Sequence, residues 1–189
     1  MHELSESTPR NNDLGLEKLT AMCVDWSWIV SLAQRCESIW NKSGRDAAKQ
    51  FATSEITVEV LRKALAAGDA LVRTKVLHMM SLWKSNEVLA DLTAALRSDP
   101  CPIVRHEAAY FLGITRDPAA ISALGHSLIN DADELVRHEA AEALGETGLK
   151  EGLIWLEQAR TDVSPLVRKT VEIAETYIGL SSSERQRNS

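Results

Sequence analysis

The sequence has no run of about 18 apolar residues, the length a helix needs to cross a bilayer. No charged stretch followed by an apolar core opens it, so no secretory leader is expected. Cysteine is scarce, with Cys23, Cys36 and Cys101 alone. Their spacings match neither a zinc knuckle nor a redox CxxC pair, and an odd count argues against a disulfide framework. They read as small buried hydrophobes in a protein of the reducing cytoplasm. An excess of basic residues is also missing: 21 Lys and Arg stand against 27 Asp and Glu, a formal net charge of −6. That balance argues against nucleic acid or an anionic membrane as the main partner. Sustained apolar–polar alternation, the mark of a half-buried strand, is absent.

What remains is helical. Hydrophobic residues make up 44% and charged residues 25%, the balance of a chain that buries a core and keeps a solvated surface. Apolar positions recur at helical spacing almost without interruption, broken by Gly and Asp-Pro steps that suit short helices and tight turns. The fold class expected is all-α. The polar ends, 1–13 and 181–189, lack this periodicity and are expected to be unstructured.

Internal repetition is the strongest signal. Residues 99–113 read DPCPIVRHEAAYFLG, and residues 131–145 read DADELVRHEAAEALG. Weaker copies begin at Ala70 and Asp162. The Val-Arg steps at Val72, Val104, Val136 and Val167 are 32, 32 and 31 residues apart. One such period is a helical hairpin, too thin to bury its own apolar face, so the units must stack. Residues 66–180 are therefore expected to form an α-solenoid of about four hairpins. Asp99 and Asp131 are placed to cap the first helix of a unit, and Gly113 and Gly145 to end it in a left-handed turn. Asp117-Pro118 opens the second helix of its unit. The pairs Ala108-Ala109 and Ala140-Ala141 permit close helix approach. Arg73, Arg105, Arg137 and Arg168 are placed to reach a carboxylate or carbonyl of the adjacent unit. Residues 14–65, with Trp26, Trp28 and Trp40, read as an N-terminal helical cap over the end of the stack, or a dimer contact. Trp26 and Trp28 are two apart and face different ways, so one of them is expected at a surface.

Within this frame one pair of residues carries chemistry. His106-Glu107 and His138-Glu139 occupy the same position in consecutive repeats. The flanking repeats have Thr74-Lys75 and Lys169-Thr170 there instead. Neighbours on a helix diverge by about 100°, so one His-Glu step does not chelate an ion by itself. Equivalent residues on stacked helices about 8–10 Å apart do meet. On that geometry His106 and His138 share one metal, and Glu107 and Glu139 point to one side. With Val104, Ala108, Phe111 and Leu112 buried, His106 falls on the open surface. Two imidazoles leave a metal under-coordinated, and a second copy of the same surface would complete it. A plainer reading makes both pairs solvated or salt-bridging positions kept through duplication. His78 and His126 stand at non-equivalent positions and read as ordinary core or surface residues.

These residues resemble a known family. RHEAAYFLG, RDPAAI, VRHEAAEALGETG and EIAET, over about Ala70 to Leu180, are similar to one half of deoxyhypusine hydroxylase, a HEAT-repeat non-haem diiron oxygenase. The resemblance implies HEAT-like repeats of the type also seen in phycobilin lyases. It implies that His106 and His138 hold one iron, that Glu107 or Glu139 reaches the iron of a partner half, and that dioxygen bridges the two irons. Because one half is present, the resemblance implies a homodimer with two irons and O2 as the cofactor set. The family usually has Gly where Ala141 stands, and the tryptophan-bearing N-terminal segment is not part of its pattern. Tyr110 and Glu142 follow each histidine by four residues on the same face, as candidates to support the ligands or contact substrate; exposed helix surface is the alternative.

Two classes of function follow. One is an O2-activating diiron monooxygenase acting on a protein side chain or small amine. The other is a protein-binding scaffold without catalysis, with a phycobilin-lyase-like chaperone as a variant of it.

Overall fold

The computed structural model describes residues 25–83 and 85–187, with side chains described as far as residue 179. The N-terminal stretch 1–13, Cys23 and the last two residues of the 181–189 tail lie outside the described residues. Ten α-helices run through the described chain, with no strand among the described residues. They are α1 (Ser27–Ser43), α2 (Arg45–Glu55), α3 (Val58–Ala67), α4 (Ala70–Met80) and α5 (Asn86–Ser98). The second set is α6 (Pro102–Thr115), α7 (Ile121–Asn130), α8 (Glu134–Thr147), α9 (Leu153–Ala159) and α10 (Pro165–Arg187).

Local sequence explains where these helices start and stop. Asp69 accepts the Val72 amide at 2.9 Å, and Asp133 accepts the Leu135 amide at 2.9 Å, so each satisfies a donor with no partner inside the helix. Pro102 and Pro165 occupy first helical positions, where a missing N–H costs nothing. Asp117 accepts the Ala119 amide and opens a short 3-10 turn that runs into α7. The left-handed stops fall at Arg116, φ 53°, and Gly148, φ 63°. They do not fall at Gly113 and Gly145, where the repeat pattern predicts them. Those two glycines lie inside α6 and α8 and face the next helix. A Cβ on Gly113 would sit 2.8 Å from the Ala143 Cα, and one on Gly145 would sit 2.9 Å from the Ala174 Cα. Close helix approach, with no turn, is what requires glycine there.

The helices pair α3 with α4, α5 with α6, α7 with α8 and α9 with α10. The Val-Arg helix thus closes each hairpin, where the repeat pattern predicts that it opens one. A repeat period has no origin of its own, and the apolar faces decide which neighbours pair. As a result α3, expected in the N-terminal segment, pairs with α4 in the first hairpin, and α1 and α2 precede it. The solenoid has two layers. Helices α1, α4, α6, α8 and α10 pack in succession along one, and α5, α7 and α9 along the other. Fully buried Val104, Ala108, Leu112, Val136, Ala140 and Leu144 form the seam of the first layer. Each buried Val or Leu contributes about 1.5–3 kcal/mol. Trp26 is buried and Trp28 exposed, as the two-residue spacing requires. Cys36 is buried and Cys101 half-buried. At the far end α10 continues to Arg187, so 181–187 are helical where no structure is expected from composition. No Pro interrupts the segment after Leu180, and extending an existing helix costs far less than starting one.

The repeated arginines tie the hairpins together. Arg73, Arg105 and Arg137 each grip the aspartate that precedes the next helix of the same layer, Asp99, Asp131 and Asp162. Arg105 is representative: Nε meets Asp131 Oδ2 and Nη2 meets Oδ1, both at 2.8 Å, while Nη1 donates to the Asp99 carbonyl at 2.9 Å. Asp99 and Asp131 therefore serve as arginine acceptors and do not cap α6 or α8 directly. Arg168, in the last repeat, donates to the Asp162 and Val163 carbonyls.

Candidate metal centre

The arginine ladder fixes the N-terminal ends of α6, α8 and α10, and the glycine–alanine contacts fix their separation. Positions 106, 138 and 169 thereby become neighbouring rungs on the exposed side of one layer. His106 and His138 lie opposite the buried seam, and each is about a quarter to a third exposed.

The contacts run diagonally from one rung to the next. His106 Nε2 lies 3.1 Å from Glu139 Oε2, while its Nδ1 lies 3.7 Å from Glu107 Oε1. His138 Nδ1 lies 2.6 Å from the Thr170 hydroxyl, and its Nε2 lies 3.6 Å from Glu142 Oε2. The repeat spacing predicts that the two imidazoles converge and both glutamates turn aside. Instead Glu139 turns back onto His106. On this face residue i of one rung meets residue i+1 of the next, His106 with Glu139 and His138 with Thr170. Of the sequence candidates, His106, Glu107 and Glu139 form one connected group. His138 and Glu142 form a second. Tyr110 is exposed beside them, on the same face.

This face carries more negative charge than its cations offset. The Glu107 carboxylate, then Glu139, hold the His106 imidazolium against the effect of burial and push its pKa up to about 10. Burial raises the Glu146 carboxyl above the usual carboxylate range, and Glu142 and Glu139 raise it further, against Arg116. Burial also raises Tyr110, with Glu146, Glu139, Glu107 and Glu142 adding to the shift. Like charges crowded on one surface favour a bound cation. The repeat pattern does not single out Glu146, although it stands one turn beyond Glu142. Thr170 is missed too, because the last repeat has no His-Glu step to draw attention to it.

A cavity of about 510 Å³ opens beside Glu107. Glu37 and Trp40 of α1, His78 of α4, and Tyr110 and Phe111 of α6 line it. His78 stacks on Phe111 with ring centres 5.4 Å apart and planes within 3°, and Trp40 lies 5.8 Å away. Burial pushes the His78 pKa down. His126 is exposed and lies 5.0 Å from the Trp155 ring.

Imidazole and carboxylate are the donor types that non-haem iron takes. His106 and Glu139 already place two such donors within 3.1 Å on adjacent helices. Among the described residues, no group of three or more His, Cys, Asp or Glu side chains is placed to hold a metal ion. The donor chemistry fits, and the described residues of one chain do not gather enough donors.

A family model described as HEAT repeats matches residues 58–128 and again 92–174. Among solved structures, human deoxyhypusine hydroxylase in complex with glycerol superposes with a TM-score of 0.60 at 20% identity. The match covers 79% of this chain and 62% of that one, so this chain spans less than two thirds of that protein's length. At this identity the likeness is one of fold. No curated protein matches the sequence.

Proposed function

From the premise that this chain belongs to the HEAT-repeat family, we propose that it is one subunit of a homodimeric non-haem diiron hydroxylase. The observation that carries this reading is the His106–Glu139 pair, 3.1 Å apart across two helices, with Glu139 nearly buried and further carboxylates close by. A second copy is needed because, among the described residues, no three donors of one chain are placed together to hold an ion. In this reading His106 and His138 supply imidazole nitrogen, and Glu107 and Glu139 supply carboxylate oxygen. Bound iron would supply the activation of O2. Tyr110 and Glu142 border the approach to the face, where a protein side chain or small amine would enter.

A second reading rests on a different observation. Leu71, Ile103, Leu135 and Leu166 each precede a Val-Arg step, and all four are exposed. They mark equivalent positions along the layer and suit a solenoid that grips a protein partner without chemistry.

Iron content and mass in solution separate the two. Protein supplied with iron and purified without chelator is expected to hold about one iron per chain, as a dimer. His106→Ala is expected to lose the iron and keep its helical content. A well-folded monomer without metal would sink the diiron reading and leave the scaffold.

A further inference from the structure

His138 has its Nδ1 2.6 Å from the Thr170 hydroxyl. Thr170 is buried and stands in the last repeat at the position Glu139 holds one rung earlier. Its hydroxyl has one proton to give. The Leu166 carbonyl, one turn back on α10, receives that proton at 3.1 Å. This is a common bond for a helical threonine. With its proton so engaged, the Thr170 oxygen has lone pairs left to accept from the imidazole, whose Nδ1 lies 2.6 Å away.

The other ring nitrogen has no such hold. Glu142 Oε2 lies 3.6 Å from His138 Nε2, too far for a hydrogen bond that would keep a proton there. His106 differs, because its Nε2 is engaged by Glu139 at 3.1 Å.

We propose that Thr170 is a positioning residue for His138: it holds the proton on Nδ1 and leaves Nε2 bare on the exposed side of the layer. A neutral imidazole with one nitrogen anchored and the other bare is the form that ligates a metal or accepts a proton. The threonine in the outer repeat thus does for His138 what a carboxylate or carbonyl behind a ligand does elsewhere. The ligand role of Nε2 rests on the proposed metal site; the tautomer assignment does not.

The test reads the ring nitrogens of His138 directly, by nitrogen-15 NMR of the metal-free protein at a pH above the ordinary imidazole range. The wild-type chain is expected to carry its proton on Nδ1. Thr170→Val, which keeps the side-chain shape, is expected to lose that preference, and Thr170→Ser to restore it. With zinc as the probe, Thr170→Val is expected to weaken binding by about 10–100-fold and Thr170→Ser to recover it. A wild-type proton on Nε2 would overturn the assignment without reference to any variant. A tautomer unchanged in Thr170→Val would also overturn it, even if zinc binds. A tautomer that responds as expected in a chain that binds no zinc would keep the Thr170 assignment and remove the metal reading.

Discussion

His106 on α6 and Glu139 on α8 meet at 3.1 Å, one residue out of register between two repeats of nearly identical sequence. The imidazole of one rung is thereby held by the carboxylate of the next. With Glu107 on its other side, His106 keeps its proton far above the ordinary range, to about 10. Buried His78 goes the other way.

The two histidines therefore give opposite pH dependences in the metal-free protein. The folded pKa of His106 is raised above 6.5, so its contribution is complete below 6.5 and is lost as pH rises toward about 10. The folded pKa of His78 is lowered, so stability falls as pH drops below 6.5, where the unfolded chain takes up the proton first. Imidazole NMR should show His106 charged and His78 neutral at about pH 7. Finding both neutral there would contradict the carboxylate hold on His106.

The Arg–Asp ladder should dominate the electrostatic stability. Arg105 and Asp131 are nearly buried, at 16% and 7% exposure, whereas Lys169 and Glu172, paired at the same 2.8 Å, are about two-thirds exposed. Burial alone would raise the Asp131 carboxyl, but the Arg105 guanidinium and the Asp133 amide outweigh it and hold it below the usual range. Arg105→Met strands that carboxylate and is expected to cost about 3–5 kcal/mol in denaturant unfolding. Lys169→Ala is expected to cost less than about 1 kcal/mol. Equal losses would show that burial does not set the strength of these pairs.

The solenoid is legible in the amino-acid sequence, because the period at Val72, Val104, Val136 and Val167 demands stacked hairpins, and the arginines announce their inter-repeat role. The hairpin register is not legible, because a period of 32 residues is the same wherever counting begins. Gly113 and Gly145 mislead because a glycine near a helix end and a glycine at a helix crossing look alike in one dimension. The candidate residues lie on one side of the layer, as their spacing requires. The diagonal pairing of His106 with Glu139 and of His138 with Thr170 depends on which faces the packed helices turn toward one another, which one-dimensional spacing does not encode.

Two glycine-to-alanine changes should have opposite signs. In a helix interior alanine is favoured over glycine by about 1 kcal/mol. At Gly113 the added methyl meets the Ala143 Cα and Cβ at 2.8 Å, so α6 and α8 must separate. Overpacking of that kind costs about 1–3 kcal/mol, and Gly113→Ala is expected to lower the melting temperature. At Gly179 in α10 none of the described residues lies within 4 Å of the added methyl, and Gly179→Ala is expected to raise it. A stabilised Gly113→Ala would mean the two helices are farther apart than the ladder holds them.

If iron is shared between two copies, removing it should loosen the dimer as well as silence the chemistry. Metal that binds the dimer and not the monomer stabilises association by mass action. A chelator should therefore shift the iron-loaded protein toward monomer in sedimentation, and added iron should reverse the shift. Glu139→Gln should weaken the same linkage while leaving each chain helical, because it removes a ligand charge without changing side-chain volume. It should also lower the His106 pKa, since one of the two carboxylates holding that proton is gone. The two readouts separate the roles of Glu139. A lowered His106 pKa with an unaltered response to chelator would confine Glu139 to pairing with His106 inside one chain. An unaltered pKa with a lost response would place Glu139 on the metal of the partner.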